Sequence, residues 1–349
     1  MRSHRLFAAV YAAALTAFTG WLALDTFVIP SFYQTNAGEL NLSLFAEESA
    51  AERSTAEAED SAAESSSTGG TSGRRGQHSR SGKQPSADSG ASVPESSASE
   101  ETGTAAEPVS TADSYRDENI SITVTTCEAY DTTIYTADVR LSSAQYLKSA
   151  FADDSYGRHI TAATSEIAAA HNAVLAINGD YYGAQQTGYV IRNGIVYRDS
   201  TDGEDLLCIY ADGSMQIVNS DTYTAEELAA QGVWQAYSFG PALIENGAVS
   251  VTEHDEVGKA MASNPRTAIG MIDELHYVFV VADGRTAESA GLSLSELATF
   301  MQSLGVKTAY NLDGGGSSTM YFQGQVINNP TSNGKTIRER EVSDIVYIG

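Results

Sequence analysis

The residues best suited to chemistry lie in the stretch NLDGGGSST, at residues 311–319. Three consecutive glycines would be costly inside a helix or strand, because glycine loses the most backbone freedom on ordering. Without side chains, however, successive backbone N–H groups can converge on an anion, and the hydroxyls that follow add donors. The stretch therefore predicts an anion site with a carboxylate beside it. Its candidate residues are Asn311, Asp313, Gly314, Gly315, Gly316, Ser317 and Ser318.

Polar residues also gather beside three other predicted strands. GDYYG follows the apolar run AVLAIN, SNPR precedes TAIG, and ADGR ends YVFVVADGR. Loops at one edge of a sheet are where binding and catalytic sites are usually assembled. We therefore expect these clusters to lie close to the triple glycine. They contribute Asn178, Asp180, Tyr182, Arg266, Asp283 and Arg285.

These residue types suit the cleavage of a phosphorylated carbohydrate. Arg266 and Arg285 offer planar forks that match phosphate oxygens. Asp180, Asp283 and Asp313 are the acids and bases that glycosidic cleavage needs. Two alternatives stay open: the arginines form salt bridges with these same aspartates, or the three acids hold a divalent cation through oxygen ligands. No other cofactor is indicated.

Common catalytic motifs are absent from the sequence. There is no G-x-S-x-G nucleophile elbow and no H-E-x-x-H metal motif. SNGKT at residues 332–336 has the lysine and threonine of a phosphate-binding loop, but Asn329 stands where that loop needs its first glycine. Anion and carbohydrate chemistry therefore remain the best match to the candidate residues.

Short strands dominate the second half of the chain. GYVIRNGIVYR, LLCIYADGSMQIV and PALIENGAVSV each turn at Asn-Gly or Asp-Gly, which is the strongest short hairpin signal. TAIGMIDELHYVFVVA turns around residues 273–274. ISITVTT and TIYTADVRL alternate apolar and polar residues with the period of a strand.

Helices are fewer, and three are predicted, at residues 164–172, 224–231 and 293–305. The last has the clearest ends, because Ser293 and Glu296 can form a capping box and Gly305 can end it. The predicted fold class is α+β, with a mixed, hairpin-rich β-sheet and two or three packed helices. We place this domain at residues 116–349.

The amino terminus resembles an export signal. Arg2 and Arg5 precede an apolar run over residues 7–24, which has the length of a short membrane span and no clear cleavage site. Basic residues before a span keep the amino terminus in the cytoplasm. We predict a signal-anchor over residues 1–30, giving a single-pass cell-membrane protein with an extracellular C-terminal domain. If the segment is cleaved, the protein is secreted.

Residues 31–115 are predicted to be a low-complexity, disordered linker. From about residue 47 they consist mainly of Ser, Ala, Glu, Thr and Gly, which cannot bury enough apolar surface to offset the entropy of ordering. Such a linker would hold the domain at a flexible distance from the membrane.

The net charge and the two cysteines limit the kinds of partner and site that the sequence predicts. The net charge of −25 argues against nucleic acid as a partner. Cys127 and Cys208 have no metal-ligand spacing, and either one disulfide or two separate thiols remain open.

Four motifs together resemble the phosphodiester glycosidase family. AINGDYYG, NPRTAIG, VVADGR and NLDGGGSST occur in this order, so the resemblance covers roughly residues 150–349. It implies hydrolysis of a sugar-1-phosphodiester, such as a GlcNAc-1-phosphate diester, at the anomeric C–O bond with release of free sugar. Many bacterial members are exported or membrane-anchored. Asp180 and Tyr181 stand where the family's motif has small or aromatic residues, which leaves the substrate open.

The resulting hypothesis is an extracellular hydrolase that acts on a cell-wall polymer or exopolysaccharide. Arg266, Arg285 and the glycines would hold the phosphate, while Asp313 or Asp283 acts as base or nucleophile. Because phosphate is already a good leaving group, electrostatic holding matters more than general-acid help. The alternative is a non-catalytic surface module that binds anionic glycopolymers, for which we expect a long open groove lined with aromatic residues.

Overall fold

The computed structural model describes residues 15–19, 31–32, 108–252, 255 and 263–349, and all of these belong to one compact unit. Most of the predicted signal-anchor and linker therefore lies outside the described residues. Residues 15–19 are helical. No helix within the described ranges is long and apolar enough to cross a membrane. In the continuous range that starts at residue 108, the first strand begins at Val109.

The regular elements are mostly short strands. In chain order the strands are β1 (Ser31–Phe32), β2 (Val109–Ser110), β3 (Ser114–Arg116), β4 (Ile120–Ala129), β5 (Thr132–Leu141), β6 (Leu147–Phe151), β7 (Gly157–Arg158), β8 (Leu175–Asn178), β9 (Val190–Arg192), β10 (Ile195–Arg198), β11 (Asp205–Tyr210), β12 (Met215–Asn219), β13 (Val233–Tyr237), β14 (Ala242–Glu245), β15 (Ala248–Val249), β16 (Arg266–Asp273), β17 (His276–Ala282), β18 (Thr308–Leu312), β19 (Met320–Phe322), β20 (Gln325–Val326) and β21 (Asp344–Ile348). The α-helices are α1 (Thr164–Ala170), α2 (Ala225–Ala230) and α3 (Leu294–Ser303). Single 3-10 turns occur at Ala144–Tyr146, Ala152–Asp154, Tyr182–Ala184 and Gly315–Ser317.

The strands form three larger sheets and one short pair. A nine-stranded sheet has the order β15-β14-β18-β16-β17-β5-β4-β3-β2. Two five-stranded sheets have the orders β10-β9-β13-β11-β12 and β20-β19-β8-β21-β6, and β1 pairs with β7. The α+β class is thus confirmed. Every strand pair among the described residues is antiparallel, unlike the mixed sheet that we expected, since no helix here returns the chain to a parallel neighbour.

All four predicted hairpins are present. β9 pairs with β10, β11 with β12, β14 with β15 and β16 with β17. At the two Asn-Gly turns both central residues have positive φ, as a type I′ turn requires: 52° and 76° at Asn193 and Gly194, and 51° and 77° at Asn246 and Gly247. Local turn chemistry therefore determines these pairings.

The predicted cap at Ser293 is confirmed, and a second helix has a cap of the same kind. The Thr224 and Ser293 hydroxyls accept from the backbone N–H groups of Glu227 and Glu296. At α1 the capping position is Ala163 instead, which has no side-chain cap, because the helix starts one residue earlier than a threonine cap would require. Cys127 and Cys208 are both free thiols.

The nine-stranded sheet is buried on both faces at its centre. All of β17 is buried, as a strand covered on both sides should be. One face contributes Phe279 to the main hydrophobic cluster, and the other packs Val280 against Leu297 of α3. The centre of this sheet is therefore a rigid platform, and the ends of its strands carry the candidate residues.

Candidate active site

Antiparallel pairing brings three of the predicted clusters to one edge of the nine-stranded sheet. β16 lies between β17 and β18, so its first residue is level with the last residues of both neighbours. Arg266 begins β16, while Asp283 directly follows β17 and Asp313 directly follows β18. The Asn178 side chain donates to the Asp313 carbonyl at 2.6 Å, which ties the end of β8 to the same place.

Asp313 carries the most accessible carboxylate of the three predicted acids. Its side chain is 12% exposed, and its Oδ2 accepts from Arg340 Nη2 at 2.9 Å. Arg340 also donates to the Ser317 hydroxyl, from Nε at 2.9 Å and from Nη2 at 2.6 Å. Burial raises the pKa of Asp313, against the opposing effects of Ser317, Arg340 and the Gly314 N–H. The site thus holds a largely buried carboxylate beside a guanidinium.

A pocket of about 610 Å³ opens beside this carboxylate–guanidinium pair. Its lining contains no aromatic ring. The lining residues are Thr161, Ser332, Asn333, Thr336, Arg338, Glu339, Arg340 and Glu341. Both acids in the lining are already bonded, since Glu341 accepts from Thr161 at 3.0 Å and Glu339 accepts from Ser165. The lining also holds two arginines: Arg340, which pairs with Asp313, and the exposed Arg338.

Arg285 lies on the opposite side of the triple glycine. Its Nη1 donates to the Ser332 carbonyl at 2.8 Å, and its Nη2 donates to Asn264 Oδ1 at 3.1 Å. The residue is exposed and has a left-handed backbone, with φ of 65°. A non-glycine residue in this region is uncommon and often marks a functional position. Arg266 is more deeply placed, 7% exposed, and its Nε donates to the Leu292 carbonyl at 2.8 Å.

The triple glycine has a different role from the predicted anion cradle. Within the described structure its N–H groups are largely engaged: Gly315 donates to the Pro265 carbonyl at 2.8 Å, and Ser317 and Ser318 donate back to the glycines at 3.3 Å. What the glycines allow is close approach. An ideal Cβ at Gly315 would lie 2.9 Å from Arg285 Nη2, and one at Gly316 would lie 2.2 Å from Ser332 Oγ. The glycines therefore let neighbouring loops close around Asp313.

Asp180 is not placed to contact a substrate. It is fully buried, and its Oδ1 pairs with Arg192 Nη2 at 2.8 Å. Arg192 Nε in turn bonds Asp344 Oδ2 at 2.9 Å, and its guanidinium lies 4.2 Å from the centre of the Tyr237 ring. Burial raises the pKa of Asp344 to about 7, with Arg192 opposing the shift. Asp180 belongs to this buried triad, which joins three strand ends beneath the site.

Asp283 is likewise occupied. It is 3% exposed, and its Oδ1 accepts from Asn328 Nδ2 at 3.0 Å and from the Asn329 N–H at 2.9 Å. Its Oδ2 accepts from Asn329 Nδ2 at 3.2 Å. The carboxylate therefore clamps the loop after β20 and leaves Asp313, bonded to the pocket residue Arg340, as the predicted acid nearest to the pocket wall.

Four other predicted residues lie away from the pocket surface. Asn178 is fully buried, where its Oδ1 accepts from the Thr267 hydroxyl at 2.9 Å. Asn311 donates to the Gly240 carbonyl at 2.8 Å. Ser318 is fully buried, and Tyr182 lines a different cavity. Among the described residues there is no cluster of three His, Cys, Asp or Glu side chains suited to a metal ion.

Arg340 was missed by the sequence reasoning. It lies in IRERE, a run of alternating charges that resembles an ordinary solvated segment. Its role depends on β21, which pairs with β8 and so brings the preceding residues across Asp313. A useful signal would have been a charged run directly before a buried final strand.

Comparisons with known proteins identify the family and the fold. A model of the phosphodiester glycosidase family matches residues 171–349. The chain is 33% identical over 109 residues to N-acetylglucosamine-1-phosphodiester alpha-N-acetylglucosaminidase of Mus musculus, covering 30% of this chain and 21% of that protein. It is 27% identical over 163 residues to the SPbeta prophage-derived protein YomE of Bacillus subtilis, covering 45% of this chain and 25% of that protein. The matches thus span about a quarter or less of these relatives.

Solved structures share the fold. The catalytic domain of zebrafish N-acetylglucosamine-1-phosphodiester alpha-N-acetylglucosaminidase superposes with a TM-score of 0.53 at 19% identity, over 66% of this chain and 82% of that one. A hypothetical protein from Synechocystis gives 0.52 at 14% identity, over 66% and 62%. The antiparallel α+β domain, with a carboxylate and arginines at one sheet edge, therefore has relatives of known fold. The chain belongs to the phosphodiester glycosidase family.

Proposed function

We propose that the chain is a hydrolase that cleaves the glycosidic bond of a sugar-1-phosphodiester at the pocket beside Asp313. The observation that supports this most is the pairing of the largely buried Asp313 carboxylate with Arg340, with Arg285 beside Gly315 of the glycine loop. Two guanidiniums suit the two free oxygens of a phosphodiester, and the carboxylate suits the anomeric carbon. The named activity of the mouse relative is in agreement.

In the proposed reaction the anomeric C–O bond breaks and the phosphate leaves with the bonding electrons as a phosphomonoester. Arg340 and Arg285 stabilise the charge that develops on the departing phosphate. Asp313 acts at the anomeric carbon, either by direct attack or by taking a proton from the attacking water. The oxygen that ends on the sugar comes from water in both cases, and the anomer released first distinguishes them.

We further propose that the substrate is an extracellular glycan or cell-wall polymer. The basic and apolar amino-terminal segment and the low-complexity stretch after it support export with membrane anchoring. A pocket without aromatic residues in its lining suits an enzyme better than a module that grips a polymer along an aromatic groove. Hydrolysis is therefore favoured over polymer binding without catalysis.

Activity is tested directly with the purified chain. We expect free GlcNAc from a GlcNAc-1-phosphate methyl diester or from UDP-GlcNAc, detected by chromatography. Failure to release sugar from any sugar-1-phosphodiester in a panel that varies the sugar and the alcohol would contradict the proposal. Screening defined wall and exopolysaccharide fragments in the same way would identify the natural substrate.

The pH dependence of the reaction should report Asp313. Because Asp313 acts as a carboxylate, kcat/KM falls as the pH drops through its pKa, and burial places that pKa above the ordinary aspartate value of about 3.9. Arg340→Gln removes a positive charge that lowers this pKa, so the acid limb should move to higher pH. Arg338→Gln removes an exposed arginine of the same pocket that is not one of the groups acting on Asp313, and it should leave the position of the limb unchanged. An unmoved limb in Arg340→Gln would exclude Asp313 as the titrating group.

Gly315→Ala should disable the site without unfolding the domain. Gly315 has φ of 64° and no room for a Cβ beside Arg285, so alanine should cost about 1–2 kcal/mol of stability and displace the guanidinium. Gly247→Ala is the matched control, because Gly247 has φ of 77° with nothing within 4 Å of an added Cβ. We expect similar melting temperatures for the two variants, and about a tenfold or greater loss of kcat/KM only in Gly315→Ala. Equal activity in both would show that Arg285 is not needed where it lies.

A further inference from the structure

A second cavity, of about 480 Å³, lies apart from the Asp313 pocket and shares no lining residue with it. Three tyrosines, two arginines and two glutamines account for most of its wall. The lining residues are Tyr156, Gly157, Arg158, Tyr182, Gln185, Gln186, Tyr197 and Arg198. None of the carboxylates discussed above lines it, so the fixed charges of the lining are both positive.

Arg198 is held rigidly in the wall of this cavity. Its Nε donates to the Gly188 carbonyl at 2.6 Å, and its Nη1 donates to the carbonyls of Tyr182 and Gln185 at 3.1 and 2.9 Å. Its Nη2 is buried and has no hydrogen-bond partner among the described residues. Three hydrogen bonds therefore fix the Arg198 guanidinium and leave its Nη2 without an acceptor among the described residues.

The contrast with Arg192, on the preceding strand, shows what is missing. Arg192 is fully buried and bonds two carboxylates, Asp180 and Asp344. Arg198 forms no ion pair with any described carboxylate, although burial lowers the pKa of its guanidinium. The Asp180 charge acts on Arg198 without a direct contact and is already paired with Arg192. A partly desolvated cation that lacks a carboxylate of its own is costly unless an anion occupies the site for part of the protein's working cycle.

The rest of the wall suits a sugar rather than a bare ion. Tyr156 and Tyr182 stack with their ring centres 5.2 Å apart, and Tyr197 packs against Tyr156 at 5.1 Å. These rings form an amphipathic wall, apolar on their faces and polar at their hydroxyls. Gln185 Oε1 is buried and has no donor among the described residues, so it is available to accept from a hydroxyl.

We propose that this cavity, which we call the Arg198 cavity, binds a sugar that carries an oxyanion, either a phosphate or a carboxylate group. The anionic group bonds the unused Nη2 of Arg198, and Gln185 accepts from a ring hydroxyl. The cavity is a binding site with no catalytic role, and the proposal does not depend on the activity of the Asp313 pocket.

Isothermal titration of the full-length chain with GlcNAc 6-phosphate, glucuronic acid and neutral GlcNAc tests the proposal. We expect saturable binding of at least one of the two charged sugars, which identifies phosphate or carboxylate as the preferred group, with weaker or no binding of GlcNAc. Arg198→Gln should weaken the affinity for the charged sugar by about tenfold or more, which is the contribution of one hydrogen bond to a charged group. Arg340→Gln should retain that binding. Absence of binding by both charged sugars at concentrations up to about 10 mM would overturn the proposal.

A second variant guards against a purely structural effect of Arg198→Gln. Gln185→Met keeps the backbone carbonyl that holds Arg198 but removes the side-chain amide. We expect it to melt near the wild-type temperature, to bind GlcNAc 6-phosphate several-fold more weakly, and to bind inorganic phosphate as wild type does. Wild-type affinity for the charged sugars in both Gln185→Met and Arg198→Gln, or loss of binding in Arg340→Gln instead, would place the ligand elsewhere and overturn the assignment.

Discussion

Arg192→Met should destabilise the domain by about 3–5 kcal/mol, a large part of the roughly 5–15 kcal/mol that stabilises a typical domain. Methionine fills a similar volume, so the loss comes from charge. The Asp180 and Asp344 carboxylates would be left buried without the guanidinium that now lies within 2.8–2.9 Å of each. An unpaired buried carboxylate must take up a proton or break the packing around it.

Chemical denaturation followed by circular dichroism measures this loss. The control is Arg140→Met, which removes an arginine that also lies beside a carboxylate, 3.6 Å from Asp138, but with 62% of its side chain exposed. Surface pairs of this kind are worth at most about 1 kcal/mol. Equal midpoints for the two variants would mean that the buried triad is not what joins β8, β9 and β21 beneath the site.

Some parts of the structure could be predicted because a few neighbouring residues determine them. Asn193-Gly194 and Asn246-Gly247 specify their hairpins locally, because both residues of each turn need positive φ. The capping box of α3 is likewise contained in four residues. Features that depend on a few neighbouring residues were therefore predicted correctly from the sequence.

The site depends on contacts between distant segments, and there the sequence was less informative. A carboxylate after a strand has the same local pattern whether it pairs with a fully buried arginine, as Asp180 does with Arg192, or with a pocket residue, as Asp313 does with Arg340. Arg340 reaches Asp313 from the segment before β21, which belongs to a different sheet, so its position depends on the pairing of β21 with β8. The glycines in NLDGGGSST suggested an anion cradle, but the loops that press on them come from Pro265, Arg285 and Ser332.

Asp313→Asn should lower kcat/KM for a sugar-1-phosphodiester by about 10²–10⁴, the usual worth of a positioned acid or base. Asparagine has the same shape and can still accept from Arg340, so the phosphate-binding arginines should stay in place. The fold should also be kept. Because burial raises the pKa of Asp313, its ionised form is already disfavoured there, and a neutral amide removes that cost.

Asp283→Asn is the matched comparison, since Asp283 ends the neighbouring strand and is equally suited to acid–base chemistry by residue type. It accepts three hydrogen bonds from Asn328 and Asn329, so an amide there should loosen the loop and lower the melting temperature more than Asp313→Asn does. Its folded fraction should retain activity within about tenfold of wild type, because no substrate atom contacts a carboxylate that is already fully bonded. A folded Asp283→Asn protein that is as inactive as Asp313→Asn would instead identify Asp283 as the group at the anomeric carbon. The hydrogen bonds to Asp283 hold the loop after β20 closed, so that result would require this loop to open during the reaction.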